Sequence, residues 1–186
     1  MPVSSFMVPL GTLAPDFALP AVDGRTVTLA GQAAAHALLV AFVSNHCPFV
    51  KHLEKELGLL AAESAELAMV AVCSNDMGIA PDDGPSGLRD QVVRAGWNFP
   101  YAIDADQATA RAYRAACTPD FFLYGADRTL VYRGSFDDST PGNGRPVTGD
   151  RLRAAVTAAL AGQSVPEPHH PSMGCSVKWS PGNEPA

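Results

Sequence analysis

The stretch Leu38-Leu39-Val40-Ala41-Phe42-Val43-Ser44-Asn45-His46-Cys47-Pro48-Phe49-Val50-Lys51-His52 decides the fold. Leu38 to Val43 is apolar at every position. Such a run fits a strand covered on both faces, which favours a parallel or mixed sheet. After Pro48, the residues Phe49, Val50, Leu53, Leu57 and Leu60 recur at helical spacing. This predicts a helix that starts near Cys47 and runs to about Glu63. A strand that passes directly into a helix places Cys47 at the joint. In open α/β sheets the active site lies beyond the carboxyl ends of the strands.

Outward from this stretch the pattern alternates. Leu67 to Cys73 reads as a second buried strand, followed by a polar loop through Asp82-Asp83-Gly84-Pro85. Ser86 to Ala95 reads as a helix, Tyr101 to Ile103 as a short strand and Gln107 to Ala116 as a helix. Phe121 to Tyr124 and Leu130 to Gly134 form two strands around Gly125-Ala126-Asp127. Thr148 to Leu160 reads as a helix with Thr148 as N-cap and Gly162 as its stop. An extended segment with Pro15, Pro20 and the turn Asp23-Gly24 leads in. Residues 163–186 form a proline-rich tail, expected to lie extended over the surface. No repeat or linker divides the chain, so residues 1–186 are read as one domain. The order implies an α/β layer structure whose closing antiparallel pair makes the sheet mixed.

Composition narrows the function. The 186 residues are 47% hydrophobic and 17% charged, as in a folded globular protein. The net charge is −6, with no basic stripe, which argues against nucleic acid and anionic membranes as partners. The longest apolar run, Ala37 to Val43, is too short to span a bilayer. The N-terminal residues have no basic region and no continuous apolar core, so a cytoplasmic protein is expected. In a reducing compartment, Cys47, Cys73, Cys117 and Cys175 point to catalysis, metal binding or inert burial rather than a disulfide framework.

The reactive form of a cysteine is the thiolate. A helix N-terminus has unpaired N–H groups and a dipole that stabilise an anion. Pro48 suits the first helical position. Lys51, His46 and His52 add positive charge nearby. The competing reading of Cys47 is a buried, inert thiol.

The segments AFVSNHCPFVKH, ACTPDFFLY and SMGCSVKW together resemble the thioredoxin superfamily, and most closely the alkyl hydroperoxide reductase/thiol-specific antioxidant (redoxin) branch. The resemblance runs from Ala14-Pro15-Asp16-Phe17 to Trp179. It implies a thioredoxin fold: a central mixed sheet flanked by helices, with an N-terminal extension and a C-terminal extended tail. It also implies that Thr118-Pro119 is a cis-proline turn facing Cys47. Thioredoxins carry Cys-x-x-Cys, but Val50 stands at the fourth position here. Peroxiredoxins carry Pro-x-x-x-Thr-x-x-Cys; Ser44 keeps the hydroxyl and Val40 stands where the proline would be. For the peroxidatic arginine, Arg128 and Arg133 are candidates by location.

The resemblance implies an enzyme, a thiol oxidoreductase or peroxidase. Cys47, Cys117, Ser44, Thr118 and Pro119 are its expected site residues, and no cofactor or metal is expected. Cys47 attacks a peroxide or disulfide. Cys117, which the fold should bring near Cys47, resolves the product, with Cys175 as runner-up. An external dithiol such as thioredoxin then restores the protein. Cys73 is read as a core residue. His169, His170 and Cys175 present a soft-metal pattern with three ligands, one short of a structural zinc set. The tail is read instead as ordered and packed over the domain by Met173, Val177 and Trp179, and the alternative function is a metal-binding (copper or zinc) chaperone or sensor using Cys47, His46 or His52 with another thiol. A redox-inactive interaction module is a third reading.

Overall fold

The computed structural model describes residues 2–184. The elements in chain order are β1 (Val3–Ser4), β2 (Ala18–Pro20), β3 (Thr26–Thr28), β4 (Ala37–Phe42), α1 (Pro48–Ala62), β5 (Leu67–Cys73), α2 (Pro85–Ala95), β6 (Tyr101–Ile103), α3 (Ala108–Tyr113), β7 (Cys117–Thr118), β8 (Asp120–Tyr124), β9 (Leu130–Arg133), α4 (Asp150–Leu160) and β10 (Met173–Ser176). The central sheet has the order β6-β5-β4-β8-β9. β4, β5 and β6 are parallel, and β8 runs antiparallel to both β4 and β9. This is the mixed sheet of a thioredoxin fold.

β4 is buried at all six positions because a core lies on each face of the sheet. Leu39, Ala41 and Val43 pack with Val50, Leu53 and Leu57 of α1 and with Leu152 of α4. Leu38, Val40 and Phe42 face the other way, against Tyr113 of α3 and Phe17. The alternation of side chains along a strand makes this division. Each fully buried leucine of this kind contributes about 1.5–3 kcal/mol relative to exposure.

Three local expectations change in the structure. The third helix covers only Ala108–Tyr113, because Arg114 takes a left-handed backbone (φ 55°). The fourth helix begins at Asp150 rather than Thr148, with Gly149 as N-cap. The cause is the Asp137 carboxylate, which accepts the N–H groups of Thr148 (2.7 Å) and Gly149 (2.8 Å) and fixes both ahead of the helix. The tail is not simply laid over the surface. Its β10 pairs with β1 on one side and β7 on the other, making a second, three-stranded sheet. No described helix is long and apolar enough to cross a membrane.

Candidate active site

Cys47 is the N-cap of α1 and is fully buried. Its side chain does not cap the helix. Instead the thiol donates to the carbonyl oxygen of Thr118 at 3.1 Å. The Thr118-Pro119 peptide bond is cis. The Ser44 and Thr118 hydroxyls, both buried, share a hydrogen bond of 3.2 Å. Four of the expected site residues (Ser44, Cys47, Thr118 and Pro119) thus meet where the end of β4 faces the turn between β7 and β8.

Two polar networks hold the loop that carries Cys47. On one side, the buried Asp83 carboxylate accepts the N–H groups of Asn45 (2.7 Å) and His46 (3.0 Å) through Oδ1. Its Oδ2 accepts from His46 Nδ1 and Asn75 Nδ2, each at 2.7 Å. The imidazole is thereby oriented with Nε2 directed away from Asp83. On the other side, buried Glu54 receives Arg94 Nε at 2.8 Å, while Gln91 Nε2 donates to both Glu54 and the Ser44 carbonyl at 3.3 Å. Arg94 Nη2 also donates to Asn45 Oδ1 at 2.9 Å. A buried carboxylate is tolerated here because each is multiply hydrogen-bonded.

The other cysteines differ sharply. Cys73 lies in β5, and burial pushes its thiol far above the ordinary range. Cys117 is fully buried, and its thiol donates to the Pro119 carbonyl at 3.5 Å. Burial, then the charge of Asp120, raises it far above the ordinary range. Cys175 is half-buried and packs against the cluster that contains Cys47, close enough for the two thiols to interact. Burial and that contact push its thiol up to about 11. The structure therefore sets Cys175 against Cys47 and turns Cys117 toward Pro119.

Neither arginine candidate is engaged with Cys47. Arg128 donates to the carbonyls of Gln32, Ala35 and Gly125, at the far end of the sheet. Arg133 donates to the Val8 carbonyl and to His169 Nδ1, each within 2.8 Å, and so ties down the tail. That bond occupies one of the two nitrogens by which His169 could hold a metal. Among the described residues no group of three or more His, Cys, Asp or Glu side chains is placed to hold a metal ion. His52 Nε2 is hydrogen-bonded to Ser139 Oγ at 3.1 Å.

Sequence reading missed Asp83, which looked like one more residue of a polar loop, and the Glu54–Gln91–Arg94 network. It also passed over Asp120 in CTPDFF. This side chain is fully buried, and burial raises its carboxyl to about 7. The signal for Asp120 was a charged residue inside an apolar strand.

The AhpC/TSA family model matches residues 10–133 of the chain. The chain belongs to the AhpC/TSA family. A hypothetical protein from Sinorhizobium meliloti is 49% identical, with a TM-score of 0.94 over 96% of this chain and 99% of that one. An uncharacterized conserved protein from Geobacillus kaustophilus is 47% identical, with a TM-score of 0.94 over 97% of each chain. A secreted disulfide oxidoreductase of Mycobacterium tuberculosis is 20% identical, with a TM-score of 0.61 over 76% of this chain and 95% of that one. At that distance the likeness shows the fold alone. Comparison with curated proteins gives no match. Membership of the AhpC/TSA family, on a thioredoxin fold, supports thiol oxidoreductase chemistry.

Proposed function

We propose that this AhpC/TSA protein is a thiol peroxidase in which Cys47 is the nucleophile and a small hydroperoxide the oxidant. The observation that carries the reading is the placement of Cys47. It occupies the N-cap position of a helix, faces a cis-proline turn and is fully buried. The first-turn N–H groups of α1 have no partner within the helix and stand at the end of the helix where Cys47 lies. Attack on a protein disulfide needs an exposed sulfur, whereas a small peroxide can enter a narrow site. Burial therefore favours the peroxide over the disulfide substrate.

The step balances simply. The Cys47 thiolate attacks the peroxide ROOH, the O–O bond breaks, and ROH leaves as Cys47 becomes a sulfenic acid. The protein is oxidised by two electrons and the peroxide is reduced. An external dithiol such as thioredoxin returns two electrons and two protons. The test is to mix the reduced protein separately with hydrogen peroxide, an organic hydroperoxide and oxidised glutathione, and to follow Cys47 by peptide mass. Oxidation of Cys47 by a peroxide well ahead of oxidised glutathione is expected. A Cys47 that stays reduced in peroxide while reacting with oxidised glutathione would make the protein a disulfide oxidoreductase instead.

A further inference from the structure

We propose that Cys175, carried by the C-terminal strand β10, resolves oxidised Cys47 by forming an intramolecular disulfide with it. The proposal rests on the assignment of Cys47 as nucleophile. Four observations support it. First, β10 pairs with β7 in a register that sets Cys175 opposite Thr118. Thr118 is the residue whose carbonyl accepts the Cys47 thiol. Second, paired residues of neighbouring strands project to the same face. Cys175 thus shares the face of Thr118, whose hydroxyl meets Ser44. Cys117 pairs with Ser176 and shares the other face. Third, the Cys175 side chain packs against the buried cluster that contains Cys47, and β10 packs against α1.

The fourth observation is Gly174. A Cβ at this position would stand 2.0 Å from the Thr118 oxygen and 2.6 Å from its carbonyl carbon. No side chain fits there. Only glycine lets β10 come this close to the turn that carries the acceptor of the Cys47 thiol. Gly174 is thus a positioning residue. The outer side of Cys175 lines a shallow recess with Phe49, Ser176 and Lys178, so a reductant can reach the bond once it has formed.

The chemistry is balanced by the proposed reaction. The Cys175 sulfur attacks the sulfenic sulfur of Cys47, the S–O bond breaks, an S–S bond forms and water leaves. An external dithiol then reduces the disulfide. This gives the chain a redox pair built from a helix start and a distant strand, although Val50 occupies the usual position of the second cysteine.

The test compares the parent protein with C175S and C117S, treated with hydrogen peroxide or with diamide, which joins thiols without peroxide chemistry. Sulfenic acid is trapped with dimedone, and cross-linked peptides are mapped without reduction. The parent and C117S should give a Cys47–Cys175 peptide with either oxidant, while C175S should accumulate the dimedone adduct at Cys47. The G174A variant, checked for folding by circular dichroism, should form the bond roughly ten- to hundredfold more slowly, because displacement of a reacting group by about an ångström has that effect. The absence of a Cys47–Cys175 bond with both oxidants overturns the proposal, as does a C175S protein that forms another intramolecular disulfide at the parent's rate. A bond formed with diamide in a protein whose Cys47 ignores peroxide overturns the peroxidase reading and leaves the pairing standing.

Discussion

β7 and β10 lie side by side, and each brings a cysteine to the neighbourhood of Cys47. Their thiols nonetheless stand in different surroundings. Cys117 is sealed in the core, bonded to the Pro119 carbonyl and raised by burial beyond the range in which a thiol ionises. Cys175 is half-buried, packs against the cluster that holds Cys47 and has Lys178 near enough to oppose the effect of burial on its thiol. A shift of one residue along the pair separates the two. Because side chains alternate across a strand, that shift moves a thiol from one face to the other. Nearness to a nucleophile is therefore a poor guide to partnership, and the face of the strand decides it.

The largest expected effect removes the centre of this comparison. Cys47→Ser should lower peroxide consumption by about a thousandfold or more, as loss of a nucleophile does elsewhere. It should also leave Cys117 and Cys175 reduced under peroxide. Peptide mapping after a brief exposure checks both. Oxidation of Cys175 at an unchanged rate would show that β10 carries the nucleophile and would invert the comparison.

A second change tests the frame that holds β10. Asp83 fixes Asn75, and Asn75 Oδ1 accepts the N–H of Lys178, two residues beyond β10, at 2.8 Å. Asp76 N–H donates in turn to the Lys178 carbonyl at 2.8 Å. Asp83→Ala leaves four donors without their acceptor: the N–H groups of Asn45 and His46, His46 Nδ1 and Asn75 Nδ2. It should cost about 3–5 kcal/mol of stability in urea unfolding, since it strands groups around a buried carboxylate. In the folded fraction, pairing of Cys47 with Cys175 should slow. A loss of stability without that slowing would mean that β10 is held by its strand pairing alone.

On the β7 side the informative group is Asp120. Its Oδ2 accepts the Ala116 N–H at 3.1 Å, and the buried Oδ1 has no protein partner. Burial raises this carboxyl to about 7 from an ordinary 3.8. Between these values the folded protein binds a proton that the unfolded chain has released. Stability from this group is therefore complete below the lower value and is lost as the pH rises through about 7. Asp120→Asn keeps the acceptor and removes the charge. Its stability relative to the parent should rise between about pH 5 and about pH 8, by on the order of 2–4 kcal/mol. Urea titrations at the two pH values check this, and a parallel shift in both proteins would contradict it.

The sequence was most legible where local and global signals agree. The apolar run of β4, the helical spacing from Phe49 to Leu60 and Pro48 at the helix start all point to the same joint, and Cys47 is found there as N-cap. The family resemblance placed Thr118 and Pro119 across from it. What stayed hidden depends on contacts distant in the chain. β10 is a four-residue strand, and nothing in SMGCSVKW announces pairing with β7 except a glycine directly before a cysteine. Asp83 lies in a segment of turn residues, and its role comes from loops brought together by β4 and β5. Thr148 has the chemistry of an N-cap, but a carboxylate eleven residues earlier takes its N–H first.

The smallest expected effect concerns the contact that joins β7 to the Cys47 loop. Ser44 Oγ and Thr118 Oγ1 are 3.2 Å apart and buried, and either can be the donor. Ser44→Ala strands the Thr118 hydroxyl, and Thr118→Val strands that of Ser44. Each should cost about 1–3 kcal/mol, the penalty of a buried polar group without its partner. The double variant removes both hydroxyls and leaves no group stranded, so its cost should fall below the sum of the singles by about 1 kcal/mol. A double-mutant cycle in urea measures this coupling. The carbonyl of Thr118 remains in all three variants, so the Cys47 thiol keeps its acceptor and β10 keeps its register. Pairing of Cys47 with Cys175 should therefore change little, while stability changes measurably. If the hydroxyl pair also sets the reactivity of Cys47, the single variants should instead slow its oxidation by peroxide, with the loss shared between them in the same cycle. Additive stabilities would show that the two hydroxyls act independently and that β7 is held to the Cys47 loop without them, by contacts such as the Cys47 thiol on the Thr118 carbonyl.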